Sequence, residues 1–510
     1  MADDATPSTP ETTQQTGPGT FPETSPGASQ APAPEPATDV TDVTDVTDVT
    51  DGTVGHDPKR PQKLLDFMAT GWADRSEGAP EPGEAAPYRA ARRARLAAQF
   101  PGEWLVVPNG GFKSRANDTD FRFRPGTEAS WLVGSAEPDA VLVVDPQGQV
   151  VLYQAPSWDR TAGHAFFTHR MGELWVGPRP TLAATSALLG VDTRPLEELD
   201  KLQGTRARVV RGYDARVEGL FDTAQEADTE LVTWLSEARL VKDDWEVRQL
   251  QAAIDATVRG FEDVVRALPK AVETSERYAE GVFGLRARVE GNDVGYGSIC
   301  AAGSHACTLH WTDNDGPVRE GELILLDMGV EGHELYTADI TRTLPVNGTF
   351  SPRQREVYDL VYRAQEAGLA ACRAGAEFTA PHKACMQVLA EGLEAMGIVT
   401  SAQEVLAEDD KRYSRWTLHS VSHMLGLDVH DCAHARKEQY VEGTLQAGYV
   451  ITVEPGLYFQ PDDLLVPEDL RGIGVRIEDD VLITEDGHVN LSAALPRDPD
   501  GVEEWMAALR

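Results

Sequence analysis

The hydrophobic pattern predicts two long helices with clear starting points. In "KDDWEVRQLQAAIDATVRGFEDVVRAL", apolar residues recur at three- and four-residue steps, the spacing of one helix face. Asp243 and Glu246 have the spacing of a capping box, so this helix is expected to begin after Asp243. In "SPRQREVYDLVYRA", Ser351 and Gln354 form a second such box, with Pro352 at the first helical position. The apolar positions of the first helix are Val247, Leu250, Ile254, Val258, Phe261, Val265 and Leu268.

Short apolar runs separated by turns predict strands elsewhere. The runs "EWLVVPNGG" and "ASWLVG" are interpreted as strands, and "DAVLVVDPQGQVVLYQ" as a hairpin. Helices are expected near 61–100 and 181–203. Residues 61–240 are therefore predicted to form an N-terminal α/β domain. A second domain is expected over 241–510, where the strand-like runs are "GELILLDMG", "HELYTADITRTLPV" and "GVRIEDDVLIT".

Residues 1–60 have a different composition, rich in Pro, Thr, Ser, Ala and acidic residues, with the small repeat "TDVTDVTDVTDVTD". So few apolar side chains cannot offset the entropy of ordering a chain, and the segment is predicted to be a disordered acidic tail. A β-helix stack is the alternative, but the repeat is too short to bury a core.

The formal net charge of −37 argues against nucleic acid or an anionic membrane as the main partner, because both require a basic surface. The simplest interpretation of the charge is solubility. The hydrophobic pattern predicts neither a segment long enough to span a bilayer nor a secretory signal. Five cysteines without regular spacing argue against a disulfide framework. These features predict a cytoplasmic protein.

Two aspartates lie in strand-like runs. Asp327 ends the apolar part of "ELILLDMG", and a second run, "HELYTADITRTLPV", carries Asp339. A hairpin centred on Gly332 and His333 would place the two directly opposite each other, with Cβ atoms roughly 5 Å apart. Two such carboxylates repel unless one is protonated or a cation lies between them. The alternative is a pair of exposed turn residues.

Further acidic residues follow. In "GVRIEDDVLIT", Arg476, Glu478 and Asp480 alternate with apolar and acidic neighbours, a pattern also compatible with a solvated edge strand. Glu454 ends the apolar run of "VITVEPGLYF", although an acidic residue before a turn is common. Each of these signals is weak when taken alone.

Three histidines fall in "HSVSHMLGLDVHD": His419, His423 and His430. His423 and His430 would not share one face of a strand, so a turn must lie between them. Several carboxylates with imidazole form an oxygen-rich ligand set, which disfavours structural zinc. Such a set suits Mn²⁺, Mg²⁺, Fe²⁺ or Co²⁺, and this many carboxylates indicates two ions.

In their order and flanking residues, these motifs resemble the pita-bread metallopeptidases, and within them aminopeptidase P. The matching segments are "TLHWTDN", "LLDMG", "ADITRTLPVNG", "HMLGLDVHD" and "EPGLYFQPDDLLVPEDLRGIGVRIEDDVLITEDG", and the resemblance extends over residues 100–510. It implies an α/β (α+β) fold, with a creatinase/prolidase-like N-terminal domain before a pita-bread catalytic domain. It also implies the release of the first residue from peptides with proline in the second position.

The resemblance further implies a dinuclear centre, with Mn²⁺ as the expected metal. Asp327 would hold one ion, and His423 and Glu454 would hold the other. Asp339 and Glu478 would bind both. Glu454 would also be the general base toward a hydroxide activated by the two ions.

Other residues would face the substrate. His310 and His430 would stabilise the tetrahedral intermediate, and His419 would lie near the proline ring. Arg476 and Tyr458 occupy family positions around the substrate.

Three rival functions have distinct signatures. A prolidase shares the ligands but prefers dipeptides, and methionine aminopeptidases usually lack the N-terminal domain. A non-catalytic binding relative would have lost ligands, whereas all five are present in this chain. Trp175 resembles a family tryptophan that reaches a neighbouring subunit, which implies a homo-oligomer, a dimer or tetramer. The alternative for Trp175 is a core position.

Overall fold

The computed structural model describes residues 60–73 and 80–510. The disordered tail predicted over 1–60 lies outside the described residues, apart from Arg60. The α-helices are α1 Gln62–Met68, α2 Ala86–Gln99, α3 Thr127–Leu132, α4 Glu173–Val176, α5 Leu182–Leu189, α6 Ala215–Leu220, α7 Gln225–Ala238, α8 Asp244–Glu273, α9 Glu276–Glu290, α10 Pro352–Ala371, α11 Ala380–Ala395, α12 Ala402–Val405 and α13 Pro499–Leu509. Within the described ranges, none of these helices is both long enough and apolar enough to cross a membrane.

The strands are short, and most of them pair antiparallel. They are β1 Trp104–Pro108, β2 Ser114–Ala116, β3 Thr119–Asp120, β4 Val141–Val144, β5 Val150–Gln154, β6 Asp192–Pro195, β7 Ala207–Val209, β8 Asp293–Val294, β9 Ile299–Ala302, β10 Leu323–Met328, β11 Val330–Glu331, β12 Ile340–Pro345, β13 Val450–Val453, β14 Gly456–Tyr458, β15 Gly474–Arg476, β16 Asp479–Thr484 and β17 Gly487–Asn490.

The N-terminal part is built on a mixed five-stranded sheet of order β6-β5-β4-β1-β7. The predicted hairpin is confirmed, since β4 and β5 pair antiparallel from Val144 opposite Val150 to Val141 opposite Tyr153. Strands β6 and β7 add in parallel at the two edges. The central strands β1 and β4 are continuous apolar runs that are almost entirely buried, which explains why the pattern predicts this sheet.

The predicted strand in "ASWLVG" is wrong. Residues Thr127–Leu132 form the short helix α3, and all six are buried. A brief apolar run that is buried on every side has no helical or strand periodicity, so its pattern does not distinguish the two.

The C-terminal part places helix pairs around small sheets. Helices α8 and α9 pack together, as do α10 and α11, and sheets of order β12-β10-β9 and β13-β16-β17 lie at the centre. Both predicted capping boxes are confirmed, with Asp243 and Glu246 at α8 and with Ser351 and Gln354 at α10. The buried face of α8 includes Leu250, Ile254, Phe261, Val265 and Leu268, as its periodicity predicts.

The predicted register of the aspartate hairpin is wrong. Asp327 pairs with Thr341 in the antiparallel β10–β12 ladder, so Asp339 is displaced by two residues along the strand. The register centres the turn on Glu334, one residue beyond His333. A shift of two residues keeps side chains on the same face of a sheet, and both aspartates still point to one side.

The solvated edge-strand alternative for "GVRIEDDVLIT" is also wrong. The run divides into β15, which pairs with β14, and β16, which lies between β13 and β17. Arg476, Glu478, Asp479 and Asp480 are all buried. Neighbouring strands therefore pair with both edges of β16, and its acidic side chains are buried within the molecule.

The core alternative for Trp175 is contradicted. Its side chain is 55% exposed in the short surface helix α4, beside the exposed Leu174 and Val176. The indole Nε1 donates a hydrogen bond to the carbonyl of Phe167 at 2.9 Å. A single turn of helix at the surface leaves its apolar side chains uncovered within the chain.

Candidate active site

The predicted site residues surround one cavity of about 750 Å³ in the C-terminal part. Nine of the ten line it directly, and the tenth, Tyr458, contacts two of them from behind. The alternative of exposed turn acids is wrong for Asp327 and Asp339, because both are buried. The nine lining residues are His310, Asp327, Asp339, His419, His423, His430, Glu454, Arg476 and Glu478.

The cavity brings together carboxylates from the ends of four separate strands. Ligand atoms of Asp339, His423 and Glu478 all lie within 4.8 Å of one another. His423 Nε2 is 3.3 Å from Asp339 Oδ2 and 3.6 Å from Glu454 Oε1. Asp327 approaches from β10. These residues can therefore surround a small cation on several sides.

Two residues that the sequence did not single out organise these carboxylates. The hydroxyl of Tyr296 lies 2.7 Å from Asp327 Oδ1 and 2.6 Å from Asp339 Oδ1. Thr341 donates a hydrogen bond to Glu478 Oε2 at 2.7 Å. In the sequence, Tyr296 stands in "DVGYGS" and Thr341 within a strand, without a pattern typical of a site. The alternation along β12 would have placed Thr341 on the same face as Asp339.

Burial and crowding disfavour the charged forms of these acids. Burial raises the pKa of Glu454 to about 7, with repulsion from Asp339 acting against the attraction of His423. Burial and the neighbouring carboxylates also hold the pKa of Glu478 well above its usual range. Burial lowers the pKa of His423, but Asp339 and Glu454 outweigh that effect and raise it to about 9.

This donor set fits divalent cations. Buried carboxylates that repel one another require positive charge if they are to be ionised together at neutral pH. Oxygen donors with a single imidazole are the ligands preferred by ions such as Mn²⁺. No cysteine lines the cavity, and all five cysteines are buried free thiols elsewhere.

A second chain of hydrogen bonds supports the wall of the cavity. Arg476 donates from Nη2 to Asp327 Oδ2 at 2.5 Å and from Nη1 to the hydroxyl of Tyr458 at 3.0 Å. That hydroxyl lies 2.7 Å from His419 Nε2. Burial and the nearby Arg476 lower the pKa of His419 to about 4, so its imidazole is neutral at pH 7.

The remaining histidines occupy the open side. His430 packs edge-on against His423, with ring centroids 4.4 Å apart, while His310 is exposed toward the cavity. Burial and the neighbouring His423 lower the pKa of His430. Apolar side chains of Ile299 and Leu309 complete this side. The cavity thus combines a polar floor with a partly apolar entrance.

The raised pKa values predict that the metal-free protein loses stability as pH increases. A carboxyl whose folded pKa exceeds its unfolded value binds its proton more tightly when folded. For Glu454, that stability is fully present below pH 4.5 and is lost as pH rises to about 7. For His423, the corresponding stability is lost as pH rises from about 6.5 to about 9.

Divalent ions replace those protons. We therefore expect Mn²⁺, added to chelator-treated protein, to raise the melting temperature more at pH 8 than at pH 5. The two increases should differ by roughly 3 °C or more. Differential scanning calorimetry with and without Mn²⁺ measures this. A gain that stays constant or shrinks as pH rises would contradict the assignment of these groups to a cation site.

Known proteins resemble this chain in sequence and in fold. The chain matches the family model "Metallopeptidase family M24" over residues 248–485 and the model "Aminopeptidase P, N-terminal domain" over residues 89–210. It is 55% identical to Xaa-Pro aminopeptidase 1 of Streptomyces coelicolor over 459 residues, which cover 88% of this chain and 92% of that protein.

Solved structures agree in fold. The structure of Pseudomonas aeruginosa aminopeptidase PepP has a TM-score of 0.73 and 29% identity, and the match covers 83% of this chain and 98% of that one. Zinc-substituted Escherichia coli aminopeptidase P in complex with product has a TM-score of 0.73 and 30% identity. The match covers 84% of this chain and 100% of that one. The expected fold class, an N-terminal aminopeptidase P domain before a pita-bread catalytic domain, is confirmed. The chain is therefore a metal-dependent aminopeptidase that belongs to the aminopeptidase P (Xaa-Pro aminopeptidase) family.

Proposed function

We propose that this chain releases the N-terminal residue from peptides whose second residue is proline, with two Mn²⁺ ions bound in the cavity. The observation that carries the proposal is the convergence of four carboxylates and four histidines on one cavity. Its support includes the 55% identity to a protein named Xaa-Pro aminopeptidase. Proline has no amide hydrogen and restricts the residue before it, so hydrolysis of this bond requires a dedicated site.

The five proposed metal ligands divide into two groups. Asp327 would hold one ion, while His423 and Glu454 would hold the other. Asp339 and Glu478 would contribute to both. When bound, such ions supply Lewis acidity, which polarises a carbonyl group and acidifies water. The proposal is supported by the cluster of Asp339, His423 and Glu478 ligand atoms within 4.8 Å.

The protein's own groups then handle the protons and the developing charge. Glu454 accepts the proton of the attacking water as the general base. His430 and His310 donate hydrogen bonds to the oxygen that gains charge in the tetrahedral intermediate. Arg476 keeps Asp327 oriented, and Tyr458 links Arg476 to His419. His419 lies beside the proline ring of the substrate.

The remaining proposals concern the organisation of the protein. The boundary between the domains falls at 240/241, which is supported by the start of α8 at Asp244. The chain forms a homo-oligomer, a dimer or tetramer, which is supported by the exposed side chains of Leu174, Trp175 and Val176. A cytoplasmic location is supported by five free, buried thiols.

Matched peptides test the proposed function. We expect the Mn²⁺-loaded protein to release the first residue of an Xaa-Pro-Yaa tripeptide. We expect it to leave both Xaa-Ala-Yaa and the Xaa-Pro dipeptide largely uncleaved, and a chelator to abolish the reaction. Chromatography of the released amino acid measures cleavage of each of the three peptides, with and without the chelator. Preference for the dipeptide would identify a prolidase. If none of these peptides were cleaved, a non-catalytic binding protein would be favoured.

A further inference from the structure

The segment that carries the cavity histidine His430 is an irregular loop, residues 424–432, which we call the histidine loop. Its base is attached to the catalytic domain through backbone hydrogen bonds. The amide of Leu425 donates to Val450, and the carbonyl of Gly426 accepts from Thr337. The tip, which includes His430, has no strand or helix of its own. Within the loop, the amide of Asp431 donates to Met424 and that of Gly426 donates to Asp428, and side chains from elsewhere in the chain fix the loop from outside.

One anchor comes from the N-terminal part of the chain. The hydroxyl of Thr127, a buried residue in the first turn of α3, lies 2.8 Å from Asp428 Oδ1 and 2.9 Å from Asp428 Oδ2. Arg124 donates from Nη2 to the carbonyl of Leu427 at 2.7 Å and to Asp428 Oδ1 at 3.2 Å. Its Nε also binds Glu331 at 2.6 Å. This anchor joins residues that are some 300 positions apart in the sequence.

A second anchor holds the other side of His430. Asp431 accepts hydrogen bonds at 3.3 and 3.2 Å from Nε and Nη2 of Arg239, and both residues are buried. Arg239 in turn lies 3.5 Å from Glu128, the neighbour of Thr127 in α3. His430 is thus flanked by two aspartates, Asp428 and Asp431, both tied to the same short helix.

We infer that Thr127 and Arg124 are positioning residues for peptide hydrolysis, which act through Asp428 on His430. The inference rests on the proposed role of His430 at the substrate carbonyl. Hydrogen bonds to charged groups are strong and directional, so they restrict the loop tip more than neutral contacts would. Stabilisation of an oxyanion depends steeply on the donor's position, and small displacements of a catalytic group have large effects on rate.

A single hydroxyl can be removed without changing the volume of the side chain. We expect Thr127→Val to lower kcat on an Xaa-Pro-Yaa peptide roughly tenfold, with KM changed less than about twofold. Thr127→Ser, which keeps the donor, should retain most of kcat. The matched control is Thr185→Val in α5 of the same domain. Thr185 is equally buried, and its hydroxyl accepts a hydrogen bond from Gln154 at 3.3 Å.

Thr185→Val separates positioning from stability. If the loss in Thr127→Val came only from weaker folding, both valine variants would lower the melting temperature and kcat alike. We expect similar melting temperatures but a lower kcat for Thr127→Val alone. Equal kcat values in the two variants would overturn the inference.

A double substitution locates the effect at His430. Once His430→Ala has removed the imidazole, Thr127→Val should cause little further loss of kcat, because the group it positions is gone. If the loss of kcat in the double variant equalled the product of the losses in the two single variants, the inference would be overturned. If His430→Ala alone kept full activity, the proposed role of His430 would fail instead.

Hydrogen exchange provides a readout that does not depend on activity. We expect amides of residues 424–432 to exchange faster in Thr127→Val than in the wild type or Thr185→Val. Measured by mass spectrometry on the full chain, this remains informative even if no Xaa-Pro peptide is cleaved. Unchanged exchange in that segment would overturn the inference.

Discussion

Replacing Glu454 with glutamine is expected to lower kcat for an Xaa-Pro-Yaa peptide roughly 10³-fold, with the fold preserved. The amide has the size of the carboxyl group but cannot accept the proton of the attacking water. Burial and repulsion from Asp339 outweigh the attraction of His423 and raise the pKa of Glu454 to about 7, so removing its charge relieves a net unfavourable interaction. The metal-free variant should therefore be at least as stable as the wild type.

Steady-state kinetics and calorimetry on the same preparations measure both effects. Glu485→Gln is the control, because Glu485 is exposed on the turn after β16. We expect this control to match the wild type in kcat and melting temperature. A Glu454→Gln variant that keeps more than about a tenth of wild-type kcat would exclude Glu454 as the general base.

The second large effect is expected from Asp339→Asn. The carboxylate of Asp339 contacts two other residues of the site, since its oxygens lie near Tyr296 and His423. Its amide also donates a hydrogen bond to Asp480 Oδ2 at 3.1 Å, which fixes its backbone. A neutral amide at the position proposed to contact both ions should reduce the bound metal below two ions per chain. We expect activity to fall roughly a thousandfold, about 4 kcal/mol of transition-state stabilisation.

Elemental analysis by mass spectrometry and a kinetic assay measure this outcome. The control is Asp486→Asn, an exposed aspartate in the turn between β16 and β17. An Asp339→Asn variant that retained two ions per chain and normal turnover would remove Asp339 from the metal centre.

The sequence predicted the elements that carry their own local signal. Capping residues such as Asp243 and Ser351 mark helix starts because they satisfy free amides at those positions, whatever the rest of the fold does. The family motifs likewise predicted the cavity residues, because side chains such as Asp327 and Glu454 stand at strand ends in characteristic contexts. These predictions required no knowledge of tertiary contacts.

The errors arose where tertiary contacts decide the outcome. The hairpin turn centres on Glu334 partly because Leu335 adopts a positive φ of 69°, which a leucine rarely does and its identity does not signal. Helix α3 is a short apolar run whose burial is decided by neighbours far along the chain. The role inferred for Thr127 depends on Asp428, about 300 residues away, and no local pattern links the two.

A stepwise Mn²⁺ titration of the chelator-treated full chain is the most direct test of the central claim, that five residues hold two ions used for cleavage before proline. Bound metal is measured by calorimetry, and release of the first residue from an Xaa-Pro-Yaa peptide is measured at each step. We predict that activity is absent without metal, rises with occupancy and reaches its plateau at two ions per chain. Full activity without metal, or a plateau at one ion, would contradict the dinuclear site.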